Sequence, residues 1–193
     1  MTNRAQWLVV AAAVALLGGG LLLGSRLSAG SLSRVGVGAH APDFRAATMD
    51  GSGATRGIAD YRGEVVLLNL WATWCGPCVV EMPSIQRLYD RYRGAGLKVV
   101  AVAVDDPGYE DRIRSFVTER GFTFEVLHEG SGKIENDYQS AGIPATFLIG
   151  RDGRIRKLHL GAADWDSEAN RAVVAQLLGA RAPDAPAARP ATP

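Results

Sequence analysis

The 193-residue chain predicts an α/β domain, a mixed sheet flanked by helices, and three observations carry that class. Residues 65–70 and 97–104 are two nearly unbroken apolar runs of strand length, the pattern of strands buried on both faces. Between them, residues 77–93 place Met82, Ile85, Leu88 and Tyr92 at helical spacing, so strand and helix alternate as parallel pairing requires. Near the end, residues 145–149 and 154–160 flank Gly150-Arg151-Asp152-Gly153, which reads as the turn of an antiparallel hairpin.

Taken in order, residues 1–34 read as a membrane anchor and linker, 35–179 as the folded domain and 180–193 as an Ala-, Pro- and Arg-rich disordered tail. Residues 7–23 carry no charge and are bracketed by Arg4 and Arg26; at about 1.5 Å per residue they reach about 25 Å, slightly short of the usual hydrocarbon core but workable for a membrane span. A cleaved signal peptide is the competing reading, but Ser28-Ala29-Gly30 makes a poor cleavage site and the apolar run is long for one. Arg4 on one side and Arg26 and Arg34 on the other leave orientation open.

From 36 to 56, glycines and polar residues alternate with short apolar stretches, as in a linker followed by an edge hairpin, with Phe44 its core anchor. The strand at 65–70 is apolar except for Asn69, which reads as a buried amide bonded by its neighbours. Pro83 should kink the helix at 77–93, and Gly94 and Gly96 end it. Asp105-Asp106-Pro107 marks a strand running into a helix start, and 110–120 reads as an exposed amphipathic helix. A strand at 122–127, a short helix at 133–139 and a closing helix at 166–178, capped near Asp166 or Ser167, complete the domain.

Lys and Arg total 21 against 20 Asp and Glu, a formal charge of +1, so composition offers no nucleic-acid footprint. Chemistry concentrates instead in Trp71-Ala72-Thr73-Trp74-Cys75-Gly76-Pro77-Cys78, which holds the only two cysteines of the chain. A disulfide across two residues closes too small a loop to constrain the unfolded chain much, so the pair serves exchange chemistry rather than architecture. A strand ending at Trp71 and a helix beginning near Cys75 put the first sulfur at a helix N-terminus, where free N–H groups favour a thiolate. Cys75 is then the nucleophile and Cys78, one turn in, the resolving thiol. A zinc half-site would need ligands from His40, His128 and His159, whose spacing does not suit it. His128 and His159 read as ordinary surface or core residues without an accompanying carboxylate. Glu81, three residues after Cys78, shares its helical face; spacing alone leaves open whether it reaches the thiols or is a solvated helix charge.

Trp74-Cys75-Gly76-Pro77-Cys78 after a buried strand resembles thioredoxin. Ala41-Pro42-Asp43-Phe44, Glu81-Met82-Pro83 and Gly142-Ile143-Pro144-Ala145-Thr146-Phe147 narrow the resemblance to the membrane-anchored TlpA/ResA group of thiol–disulfide oxidoreductases, over about residues 41–178. It implies a thioredoxin-like mixed sheet with an N-terminal hairpin and a central insertion after the 97–104 strand. It also implies a cis proline at Pro144 facing the cysteine pair, and a carboxylate at Glu81 that takes the proton of Cys78. Thioredoxin itself carries an Asp where this chain has Asn69, so Glu81 replaces that carboxylate. Trp74, Gly76, Pro77, Ile143 and Pro144 are the implied substrate contacts; no cofactor and no metal is implied. The implied partners are disulfide-bearing extracytoplasmic proteins and a membrane thiol transporter as reductant. The implied location is the bacterial inner membrane, single-pass, with the catalytic domain on the periplasmic side. The group is associated with cytochrome c maturation and with loading copper into oxidases. Two other classes compete: a thiol peroxidase, which wants Pro-x-x-x-Thr-x-x-Cys where this chain has Leu68 and Ala72, and a copper metallochaperone with His159 as third ligand.

Overall fold

The computed structural model describes residues 7, 12–14 and 34–179. The chain divides into two compact units, Met1–Arg34 and Val35–Pro193. In the first, Trp7 and residues 12–14 are helical and exposed, while most of the expected span at 7–23 lies outside the described residues. Among the described residues no helix is long and apolar enough to cross a membrane. The tail at 180–193 also lies outside them.

The second unit begins with an edge hairpin, β1 (Ala46–Thr48) and β2 (Thr55–Arg56), and a 3-10 turn (Ile58–Tyr61). There follow β3 (Val65–Trp71), α1 (Gly76–Tyr92), β4 (Leu97–Ala103), α2 (Glu110–Glu119) and β5 (Glu125–His128). A short α3 (Lys133–Asp137), β6 (Ala145–Ile149), β7 (Ile155–Leu160) and α4 (Glu168–Leu178) close the fold. The seven strands form one sheet in the order β2-β1-β5-β4-β3-β6-β7. β3, β4 and β5 run parallel, and β6, β7 and the hairpin are antiparallel to their neighbours, which is the mixed sheet expected.

Side chains of a strand alternate between faces, and β3 is buried on both. Val65, Leu67 and Trp71 point toward α1, α2 and α4, where they meet Met82, Ile85, Leu88, Ile113 and Val174. Val66, Leu68 and Leu70 point the other way, toward Phe44, Ile134, Tyr138 and Phe147. Each such fully buried side chain contributes about 1.5–3 kcal/mol, so the strand that carries the cysteine motif is anchored from both sides. The hairpin returns past Phe44 at Gly57, where a β-carbon would sit 2.0 Å from the Phe44 carbonyl oxygen.

α1 runs continuously through Pro83 and passes by way of a 3-10 turn (Arg93–Ala95) into Gly96, whose φ of 102° is left-handed. α4 starts at Ser167, whose hydroxyl accepts from the Asn170 N–H, and stops at Gly179. Three local expectations are corrected. The strand expected at 122–127 pairs only over Glu125–His128, because Phe122 and Phe124 stack at 5.3 Å and pack the turn after α2 instead. The helix expected at 133–139 ends at Asp137, and Gln139 turns into left-handed backbone at φ 49°. Asp105-Asp106-Pro107 does not start a helix; α2 begins at Glu110, and Asp105 turns inward.

Candidate active site

The site lies where β3 hands over to α1. Cys75 is the N-cap residue of α1, and its Sγ accepts the Cys78 backbone N–H at 3.2 Å, taking one of the donors a helix start leaves free. Gly76 and Pro77 occupy the first helical positions, where a missing proline N–H costs nothing. The two sulfurs are bonded to each other. Cys78 is fully buried, Cys75 is nearly so at 5 % exposure, and Trp74, Gly76 and Pro77 beside them are exposed. Ile143 is half-buried and packs against the cluster that contains both cysteines. Pro144 is buried, follows a cis peptide bond and accepts the Gly161 N–H on its carbonyl at 2.8 Å.

Glu81 is 2 % exposed, which overturns the reading of a solvated helix charge. Its Oε1 accepts from Asn69 Nδ2 at 2.8 Å; its Oε2 accepts from the Ala163 N–H at 3.1 Å and from Trp165 Nε1 at 3.3 Å. Burial raises its pKa from 4.5 to about 6, and the three N–H donors restrain the rise. The carboxyl therefore titrates just below neutrality, one helical turn beyond the buried thiol. Asn69 Nδ2 also donates to Thr146 Oγ1 at 2.8 Å, as the β3–β6 register that sets the two opposite each other allows. The expected satisfied amide is thus half correct, since Asn69 Oδ1 is buried with no hydrogen-bond partner, as is Trp71 Nε1.

The loop between β7 and α4 matters to this site, and sequence reasoning missed it. Ala163 and the fully buried Trp165 supply two of the three donors to Glu81, and Ser84, one turn further along α1, accepts the Trp165 N–H at 2.9 Å. No spacing signal connects residues 163 and 165 to residue 81. Thr73 and Asp105 were missed as well; the Thr73 N–H donates to Asp105 Oδ2 at 3.0 Å, and both residues are buried. The clue available was Asp105 at the end of an apolar run, read as a helix start.

The histidines do not converge. His40 is exposed and bridges to Arg154, and His159 stands edge-on to Trp165 at 6.3 Å. His128 is buried, with Nε2 at 2.8 Å from the Asp105 carbonyl oxygen and Nδ1 at 3.4 Å from Glu110, so the expectation that no carboxylate accompanies it is corrected. Among the described residues no group of three or more His, Cys, Asp and Glu side chains is placed to hold a metal ion.

A sequence profile of the AhpC/TSA family matches residues 37–158, a stretch that contains the cysteine pair, Glu81 and Pro144. The chain belongs to the AhpC/TSA family. Its relatives include the thiol-disulfide oxidoreductase ResA of Geobacillus thermodenitrificans, 36% identical over 127 residues, which are 66% of this chain and 71% of that one. ResA of Oceanobacillus iheyensis is 37% identical over 132 residues, 67% of this chain and 68% of that one. Among solved structures, the crystal structure of a putative thiol:disulfide interchange protein DsbE from Chlorobium tepidum superposes with a TM-score of 0.67 at 30% identity, covering 75% of this chain and 99% of that one. The resemblance to the TlpA/ResA group of thiol–disulfide oxidoreductases holds, with the thioredoxin-like fold it implied. AhpC/TSA membership does not revive the peroxidase alternative, because Leu68 and Ala72 are buried apolar residues where the peroxidase pattern needs Pro and Thr.

Proposed function

We propose that this thiol–disulfide oxidoreductase is a reductase of disulfides in extracytoplasmic proteins, held at the membrane through residues 7–23. The observation that carries the reading is the asymmetry of the pair. Cys75 Sγ takes a helix-start N–H beside exposed Trp74, whereas Cys78 is fully buried one turn before a carboxyl whose pKa is about 6.

In the reduced enzyme the Cys75 thiolate attacks a substrate disulfide, forming a mixed disulfide and releasing one substrate thiolate, which takes up a proton. Glu81 accepts the proton of Cys78, and the Cys78 thiolate attacks Cys75 Sγ. The second substrate sulfur leaves as a thiolate and is protonated, and the enzyme holds the Cys75–Cys78 disulfide seen in the structure. The protons that complete the substrate thiols come from Cys78, by way of Glu81, and from solvent, since Cys75 entered as a thiolate, and two electrons have passed from the enzyme to the substrate. A membrane thiol transporter would return them to the enzyme, and the service to cytochrome c maturation or to copper loading of oxidases follows from the group the chain resembles.

The direction of flow is the testable part. Gly-Pro between the cysteines matches thioredoxin, at about −270 mV, rather than the oxidant DsbA, at about −120 mV. Equilibration of the protein against a glutathione series should place the pair near the thioredoxin end; a value near the DsbA end would make the protein an oxidant or isomerase. Replacing Cys78 by Ser and recovering what remains bonded to Cys75 would name the substrate. A reporter active only outside the cytoplasm, fused after Gly179, should be active.

A further inference from the structure

Asp105 is fully buried just beyond β4, yet it belongs to neither cysteine's immediate surroundings nor the Glu81 network. A buried carboxylate is costly unless its oxygens are bonded. Its hydrogen bonds all go to a single residue: the Thr73 N–H reaches Oδ1 at 3.2 Å and Oδ2 at 3.0 Å, and Thr73 Oγ1 donates to Oδ1. Thr73 stands two residues before the nucleophile, inside the turn that the Cys75 N–H closes on the Ala72 carbonyl at 3.2 Å.

Asp105 is itself fixed from the other side. The Val104 N–H donates to the Trp71 carbonyl at 2.8 Å, extending the β3–β4 pairing up to it. His128 Nε2 meets the Asp105 carbonyl oxygen at 2.8 Å, and Glu110 faces the opposite ring nitrogen at 3.4 Å. Gly130 packs so closely that a β-carbon there would lie 2.7 Å from the Asp105 carbonyl oxygen. The carboxylate therefore works as a fixed post, and the nucleophile's turn is tied to it.

We propose that Asp105 is a positioning residue for the thiol exchange: clamped on Thr73, it holds the turn from Ala72 to Cys75 so that Cys75 Sγ faces the free N–H groups at the start of α1. The proposal rests on the thiol-exchange reading. Helix-start stabilisation of an anion falls away within the first turn, so a small slackening of the turn weakens the thiolate.

The test is the pH dependence of Cys75 alkylation by iodoacetamide in the reduced full-length protein, read by mass spectrometry. Thr73→Val, which removes the hydroxyl bond and leaves the Asp105 charge in place, should move the thiol's titration midpoint up by about one unit, about tenfold in alkylation rate on the acidic limb. Thr73→Ser, which keeps the hydroxyl, should stay near the parent. Ile134→Ala, a core truncation on the far face of the sheet, should lower stability and leave the midpoint alone. The proposal is overturned if Thr73→Val keeps the parental midpoint, or if Ile134→Ala moves it as far. Equal midpoints for Thr73→Ser and Thr73→Val also overturn it. A parental Cys75 that titrates like a free thiol, near about 8.5, would overturn the exchange reading itself, an outcome distinct from a low parental midpoint that the clamp variants do not move.

Discussion

Replacing Glu81 by Gln should abolish a specific part of the protein's pH-dependent stability. The folded protein holds this carboxyl at about 6 against an ordinary 4.5, because burial at 2 % exposure penalises the anion more than its three N–H donors reward it. A carboxyl whose folded pKa is raised favours the fold in its protonated form. Its contribution is complete below about 4.5 and is lost as pH rises through about 6. The gap corresponds to about 2 kcal/mol. Gln cannot ionise, so the stability of Glu81→Gln minus that of the parent should grow by about 2 kcal/mol between pH 4 and pH 8. The replacement has somewhere to bond: Asn69 Oδ1 has no partner, and rotation of that amide would let it accept from the introduced carboxamide while Thr146 Oγ1 remains within reach. Urea unfolding of both proteins with the Cys75–Cys78 disulfide intact, across that pH range, gives the difference directly, since the other titrating groups are shared. A difference that stays flat within about 0.5 kcal/mol, the usual scatter of such comparisons, or that falls with pH, would refute the reasoning.

Trp165→Phe removes the indole donor at 3.3 Å from Glu81 Oε2 and should raise the Glu81 pKa above about 6, moving the acidic limb of the exchange rate upward by about half a unit to one unit; an unmoved limb would show that the indole bond does not hold the anion. Trp74→Ala, at a side chain 63% exposed, should change stability by less than about 0.5 kcal/mol while raising KM for protein disulfides, and steady-state kinetics beside thermal melts would read both. Phe147→Ala should cost about 3–5 kcal/mol in chemical denaturation, because the ring is fully buried and stands edge-on to Tyr138 at 4.8 Å.

Long, strongly patterned segments were legible in the sequence for a plain reason. The apolar runs that became β3 and β4, and the helical spacing of Met82, Ile85, Leu88 and Tyr92, encode burial that the fold has to honour. The cysteine pair was legible because spacing and neighbours suffice to place a sulfur at a helix start, where Cys75 lies. Phe122 and Phe124 misled because aromatic residues suit a strand and a packed turn equally well, and only the contact with α2 separates the two. Asp105 misled because Asp before a helix usually caps it, whereas here the side chain faces Thr73 across 32 residues of sequence. The ligands of Glu81 were out of reach for the same reason, lying 82 and 84 residues away on a loop with no periodic signal of its own.

Where thioredoxin, which this chain resembles, has a carboxylate on the equivalent strand, β3 carries Asn69, and the buried carboxyl bonded to it is Glu81 on α1. A carboxylate on β3 would be held by the sheet alone. Glu81 is held by the sheet through Asn69 and, through Ala163 and Trp165, by a loop that also docks onto α1 at Ser84. Ionisation of Glu81 and docking of that loop are therefore linked: two of the donors that stabilise the anion are there only while the loop is seated, and the anion in turn strengthens both bonds. Under the proposed exchange, protonation of Glu81 by Cys78 would weaken those two bonds and at the same time relieve the cost of the buried anion, so the seating of the loop would change in the step that forms the enzyme disulfide. Hydrogen exchange at the Ala163 and Trp165 amides that changes between pH 5 and pH 8 after correction for intrinsic rates, with that change lost in Glu81→Gln, is the signature this coupling predicts, and equal pH dependence in the two proteins would refute it.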